Sequence, residues 1–485
     1  MSSLNMAHVE SLHKASSNQI TALLQKGTTR YTTTKNSTKE EQPNIPDPSL
    51  FQTLSPTGED AKALGGFPTT GQCAVHLELL EVFYMLRNRI IYSRDLDTAF
   101  GVEPNKRTVY RRIRRGERKQ PVELRDPTWD ARRNEKWPYY LELAAGRFHS
   151  WIRVVDGVWQ EEKLDSTSIE LSDGMDFMPP VDVLMVWHAF LLNPLDFEQY
   201  CKTNGLLTAR NIPFPWKRIH KAIDSQTWKY SLHDTTADWL LETCKMEPDL
   251  FKYLEKVGQS RSPAHAVLSR YGTGRRKAGL SKYAVSDSPV DTRELDFIKA
   301  VKSATAQSRD TTPLVENVKR QASFVDKMHA QLWICSPAAA GTTRRAVDRY
   351  GKFVQLFKLY PDTILVPTLD VDLVWHTHQC SAALYQEYMI AHTGRFIRHD
   401  DRFGQNVLDT GFDTTQEVFF ASFGERYHLC LCWNCEAIAD GLEEAEKDGR
   451  QVDIRALAEE IGEEVSYYAA VEIAKRKRQD LPVRD

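Results

Sequence analysis

The sequence predicts a mainly α-helical protein, an internally duplicated helical architecture with two pseudo-equivalent halves behind a disordered N-terminal segment. Three observations lead there. The long apolar segments repeat at helical rather than strand spacing, one segment occurs twice, and the first 70 residues carry no apolar period. A chain of 485 residues with 41% hydrophobic and 10% aromatic content can bury one large core or two to three ordinary ones.

Residues 1–70 are rich in Ser, Thr, Lys and Pro ("KGTTRYTTTKNSTKEEQPNIPDPS") and cannot offset the entropy of ordering, so they are expected to be mostly disordered. The first helical half is expected over 71–255. It opens with "CAVHLELLEVFYMLRNRIIYS", where Val75, Leu79, Val82, Phe83, Leu86 and Ile90 fall at the spacing of an amphipathic helix. The basic run "NKRTVYRRIRRGERKQP" reads as a solvated connector, with a polyanion or protein partner as the other reading, and "WPYYLELAAGRFHSWIRVV" as a second helix. Over 256–291 the apolar period gives way to Gly, Ser, Pro and Arg, the mark of a linker. A second half is expected over 292–440 and a terminal helix over 441–485, with Asp453 as N-cap and basic residues in its last turn.

The formal net charge of −3 gives no general polyanion-binding character, so no nucleic-acid partner is expected. "MSSLNMAHVESLHKASS" lacks the apolar core of a signal peptide, and no run approaches 18 apolar residues. A cytoplasmic protein without a membrane partner is expected. The eight cysteines suit reduced thiols rather than a disulfide framework, apart from the cluster "CLCWNC" holding Cys430, Cys432 and Cys435.

The repeat separates scaffold from chemistry. "PPVDVLMVWHAFLLNPLDFEQYC" (179–201) aligns without gaps on "PTLDVDLVWHTHQCSAALYQEYM" (367–389). Asp182/Asp370, Trp187/Trp375, His188/His376 and Tyr200/Tyr388 are shared, and Phe197 matches Tyr385. The shared aspartates read as helix N-caps, and the aromatics as packing. The second copy adds Asp372 (Leu184 in the first) and His378 (Phe190 in the first), so the site is placed in the second half.

In a helix over 370–379, Asp372 and His376 share one face, as a carboxylate and imidazole on one ion require. His378 points roughly 200° from His376 on an ideal helix, so it joins that ion only if the helix ends or distorts, and otherwise serves a hydrogen bond or catalysis. Downstream, "RFIRHDDRF" offers His399, Asp400 and Asp401, and "YHLCLCWNC" offers His428 and the three cysteines. Zinc accepts N, S and O donors. Cys432 and Cys435 have half-site spacing without a second CxxC, so any partners must be histidines or carboxylates; buried free thiols are the other reading. GxGxxG, GxxxxGK[ST], GxSxG and HExxH are not found.

"VPTLDVDLVWHTHQ", Tyr385 and Tyr388, "HDD" at 399–401 and "LDTGF" at 408–412 together resemble the glycine-rich domain-containing protein family of plants and fungi, over roughly residues 70–435. Among fungal members the chain is most similar to the zinc-dependent cyclopenases of quinolone alkaloid biosynthesis. That resemblance implies zinc and a small-molecule substrate. It further implies conversion of cyclopenin-type spiro-epoxide benzodiazepinediones to viridicatin-type quinolones, with ring contraction and loss of methyl isocyanate. His376 then takes the central zinc-ligand role, supported by Asp372, His399 and Cys435, with His378 as catalytic proton shuttle or fourth ligand. The competing expectation is a non-catalytic helical interaction protein in which zinc is structural. The enrichment of one copy in Asp and His favours the enzyme. His188→Ala is expected chiefly to affect stability, and removal of residues 1–60 to leave activity intact.

Overall fold

A computed structural model of the chain describes residues 44–54, 65–105, 107–112, 118–161, 177–260, 262–269, 291–306, 308–398 and 405–482. The mainly α-helical class is observed: strands among the described residues are confined to two small antiparallel pairs. The first pair, Arg107–Arg111 with Gln120–Leu124, is formed by the two ends of the basic run, and its side chains are largely exposed. Part of the expected linker is helical, Leu250–Gln259 and Pro263–Leu268, while 270–290 lie outside the described residues.

Helix α1 (Thr70–Tyr92) begins in a capping box: Thr69 Oγ1 accepts from the Gln72 amide, and Gln72 returns the bond to the Thr69 amide. The sequence predicts an amphipathic helix here, yet every residue from Cys73 to Phe83 is buried. The difference lies in the polar positions. Glu78 meets His220 Nδ1 at 2.7 Å, and Glu81 meets His329 Nδ1 at 2.8 Å and Arg476 Nη2 at 2.9 Å. Partners distant in sequence satisfy groups that the period alone assigns to water.

Helices α2 (Lys136–Glu161), α3 (Val181–Leu191) and α4 (Pro194–Asn204) follow α1 within the span expected for the first half. Helix α5 (Ser308–Gln331) packs against α1, α2 and α3. It is followed by α6 (Ala339–Leu359), α7 (Leu369–Gln379), α8 (Ala382–Thr393), α9 (Gln405–Phe423), α10 (Trp433–Lys447) and α11 (Ile454–Lys477). The larger apolar cluster draws on both halves, from Leu79 and Trp187 to Leu373 and Ile461. A second surrounds Tyr350, Trp375 and Tyr385. As expected, Asp453 caps α11, accepting from the Arg455 and Ala456 amides, and Lys475, Arg476 and Lys477 occupy its last turn. No helix of the described residues is long and apolar enough to cross a membrane.

The N-terminal expectation needs correction at two stretches: residues 65–70, where Phe67 stacks on Tyr350 and Thr69 caps α1, and residues 44–54. Residues 44–54 pack on the core through Ile45, Leu50 and Leu54, with Asp47 capping a 3-10 turn over Pro48–Phe51. Three apolar side chains in a polar segment are too few to show a period, but they suffice to dock it. Residues 1–43 and 55–64 lie outside the described residues.

Asp182 and Asp370 are not caps. The N-cap positions belong to Pro180 and Thr368, and the aspartates sit one residue inside their helices, fully buried. Each accepts from an arginine of the preceding long helix: Arg147 Nε to Asp182 at 2.6 Å, and Arg349 Nε to Asp370 at 2.7 Å. Both guanidinium groups also donate to a distant backbone carbonyl at 2.6 Å, Glu247 O and Tyr427 O respectively. The following helices α4 and α8 both end on a left-handed glycine, Gly205 at φ +67° and Gly394 at φ +77°. Arginine clamps of this kind fix the entry angle of α3 and α7, and so the direction in which each VWH histidine points.

Candidate functional site

Helix α7 carries the two residues that the second copy adds, and it sends them to different places. Its dihedral course is unbroken to Gln379, so His376 and His378 point apart. Asp372 and His376 stand on the wall of a partly open cavity of about 620 Å³ between α5, α7, the 363–367 segment and the 395–398 segment. Asp372 Oδ1 lies 3.4 Å from His376 Nε2, with the imidazole buried and the carboxylate half-buried. Phe324 packs edge-on against the His376 ring at 4.4 Å between centroids.

The cavity has aromatic walls, Phe324, Phe357, Trp375 and Phe396, and cationic groups from Arg320, Lys327, Arg395 and Arg398. A hydrogen-bond chain holds the wall in shape. Trp375 Nε1 donates to Tyr385 Oη at 2.8 Å, and that hydroxyl donates to Ile397 O at 2.8 Å. The first copy has Phe197 in place of Tyr385 and cannot make this chain; there Trp187 Nε1 has no acceptor among the described residues.

His378 does not face the cavity. It is enclosed by Phe67, Tyr385 and Tyr388, and its Nδ1 lies 2.9 Å from Tyr350 Oη. Burial, aided by the charge of His392, pushes its pKa down to about 3. The ring is therefore a neutral, packed group with a hydroxyl partner, and it does not share a face with His376.

Two further histidines, which sequence reasoning left out of the site, lie behind His376. His76 of α1 faces Thr377 Oγ1 through Nδ1 at 2.8 Å and His188 Nε2 through its own Nε2 at 2.8 Å. Thr377 donates its hydroxyl proton to Leu373 O at 2.7 Å, so its oxygen accepts from His76 Nδ1–H. That assigns His188 as donor and His76 Nε2 as acceptor in the pair. Burial, then the charges of His188 and His376, holds His76 well below its ordinary value; burial, then the charge of His376, pushes His188 down to about 3. The signal available in the sequence is the retention of His188 beside His376 in both copies, but nothing local ties either to His76, 112 residues from His188.

The donors fit zinc in part. Two ligand atoms on one zinc at 2.0–2.2 Å and a near-tetrahedral angle stand roughly 3.3 Å apart. Asp372 Oδ1 and His376 Nε2 meet that spacing. The His76–His188 nitrogens are at hydrogen-bond distance and would open by about half an ångström to share an ion. Among the described residues, the set of three or more His, Cys, Asp or Glu whose ligand atoms all lie within 4.8 Å of each other is Cys430, Cys432 and Cys435. Cys435 thus groups with its neighbouring thiols and not with Asp372 and His376. His399, expected as another ligand, lies outside the described residues, as do Asp400 and Asp401. None of the eight cysteines is in a disulfide.

Residues 275–387 match the family model described as Glycine-rich domain-containing protein-like. The chain is similar to Glycine-rich domain-containing protein 1 of Arabidopsis thaliana, 26% identical over 275 residues, which are 54% of this chain and 26% of the relative. It is also similar to Glycine-rich domain-containing protein 2 of the same plant, 34% identical over 154 residues, 29% of this chain and 19% of the relative. The chain spans about a quarter or less of the length of these curated relatives. No solved structure matches it. The expected likeness to this family is found over the segment that holds α7, and neither relative's name states an activity.

Proposed function

We propose that the protein is a zinc-dependent enzyme acting on a small aromatic molecule in the cavity beside α7, with Asp372 and His376 as ligands to the ion. The observation that carries this is the carboxylate–imidazole pair at metal-ligand spacing on the wall of an aromatic-lined cavity of about 620 Å³. Zinc held there would supply a Lewis acid for a carbonyl or epoxide oxygen. The protein's own groups do the rest. Phe324 and Trp375 present flat apolar surface, and the Trp375–Tyr385–Ile397 chain fixes the wall. The basic residues at 320, 327, 395 and 398 offer donors to substrate oxygens.

The finer reading is a cyclopenase converting cyclopenin-type spiro-epoxides to viridicatin-type quinolones, and it rests on the sequence resemblance. His378, buried on the other side of α7, acts in this reading as a positioning residue. The alternative, a non-catalytic interaction protein with structural zinc, gives no reason for a cavity at Asp372 and His376. The test is zinc content by plasma mass spectrometry together with turnover of a cyclopenin-type substrate, in wild type and His376→Ala. Zinc and turnover both lost in a folded His376→Ala protein support the reading. Turnover retained in that variant overturns the site, and a zinc-loaded wild type without turnover overturns the substrate class.

A further inference from the structure

Away from the cavity, a second set of donors converges at the start of α10. The sulfur atoms of Cys430, Cys432 and Cys435 lie within 4.8 Å of one another. The local sequence explains why. Cys432 is the N-cap residue of α10 and Cys435 is the third residue of that helix, so the turn brings the two thiols to one side, and Cys430 joins them from the non-helical segment just before.

Two buried tryptophans hold the segment in place. Trp333 Nε1 donates to Leu431 O and Trp433 Nε1 donates to Gln331 O, each at 2.7 Å, and both rings are 1% exposed. The reciprocal bonds tie the thiol turn to the end of α5 without help from any ion, so the donor geometry is fixed in advance. Glu436, the nearest carboxylate on α10, is engaged by Arg345 at 2.6 Å and is not available as a donor. Cys430 and Cys432 are only half-buried, which leaves an entry path from solvent.

We propose that Cys430, Cys432 and Cys435 form a three-thiolate site for zinc(II), separate from the Asp372–His376 pair and independent of the cavity reading. Three sulfur donors select a thiophilic ion over the oxygen-seeking magnesium or calcium. Binding releases the thiol protons to solvent, and a water or solvent anion completes four-coordination.

The test uses the full-length protein, reduced with a phosphine and stripped of metal, then titrated with cobalt(II) as a spectroscopic stand-in for zinc. Wild type and His376→Ala should both develop the near-ultraviolet thiolate-to-cobalt charge-transfer band, and Cys430→Ser/Cys435→Ser should not. No band in wild type, or a band surviving in the double variant, overturns the proposal. Because a cysteine variant can fail to fold, maleimide labelling of wild type mapped by mass spectrometry supplies a second readout. Zinc should protect Cys430 and Cys432 from labelling, and equal labelling with and without zinc overturns the site. Loss of turnover in His376→Ala with the charge-transfer band intact concerns only the cavity.

Discussion

The arginine clamp that aims α7 can be broken singly. Arg349 is 7% and Asp370 2% exposed, and the guanidinium makes bonds to Asp370 Oδ2 at 2.7 Å, Tyr427 O at 2.6 Å and Thr368 Oγ1 at 3.3 Å. Arg349→Met keeps the aliphatic bulk but strands a buried carboxylate and a buried carbonyl. Removing one partner of a buried pair costs about 3–5 kcal/mol. The position of Asp370 in the first turn of α7 lets the helix dipole return roughly 0.3–1 kcal/mol, so about 3 kcal/mol is expected. Arg349→Met/Asp370→Asn removes the stranded charge and should recover about 2 kcal/mol of that loss, within the range of measured couplings between contacting residues. Guanidinium unfolding followed by tryptophan fluorescence measures both. Lys352→Met, which breaks the half-exposed pair with Glu425, should cost under about 1 kcal/mol and serves as the control. An Arg349→Met protein as stable as the control, or a double variant no better than the single, would refute the clamp.

Other predictions follow from the same packing. Leu50→Ala should destabilise by about 2–5 kcal/mol, and deletion through residue 54 by more than deletion through residue 43, because Ile45, Leu50 and Leu54 are buried; equal melting of the two truncations contradicts this. Glu81 is buried, which alone would raise its pKa, but His329 and Arg476 outweigh burial and hold it low. Its stabilisation is therefore present above the unfolded carboxylate range, near pH 4.5, and is lost as pH falls through the folded value. Glu81→Gln should be less stable at pH 7 and lose less stability on acidification; an unchanged pH profile argues against it. His188→Ala should cost about 1–3 kcal/mol by leaving the buried His76 nitrogen without its donor, while zinc at Asp372–His376 is retained. Zinc lost in a folded His188→Ala protein would make the histidine pair part of the ion's ligand set.

Helix α7 and the asymmetry of Asp372 were legible because both are local: the i, i+4 spacing and the comparison of two aligned copies need no partner. The separation of His376 from His378 was legible for the same reason, since an unbroken helix fixes the angle between them. The caps at Asp182 and Asp370 were misplaced because a buried aspartate paired with an arginine and a first-turn capping aspartate leave nearly the same local pattern. The thiol cluster was visible as spacing, but its company was not. Sequence put Cys435 with Asp372 and His376, whereas the Trp333 and Trp433 bonds hold it with Cys430 and Cys432.

The sequence by itself determined the helical class, the central segment of α1, the N-cap at Asp453 and the second VWH segment as the place where polar groups gather. Only the tertiary structure decided that His76 meets His188, that Arg349 rather than a cap sets the direction of α7, and that Asp372 and His376 open on a cavity while His378 does not. The physical reason is range. Helical period, capping and spacing are written within a few residues of each other, but a buried polar group is satisfied by whichever partner three-dimensional packing brings to it, here as far as 395 residues away.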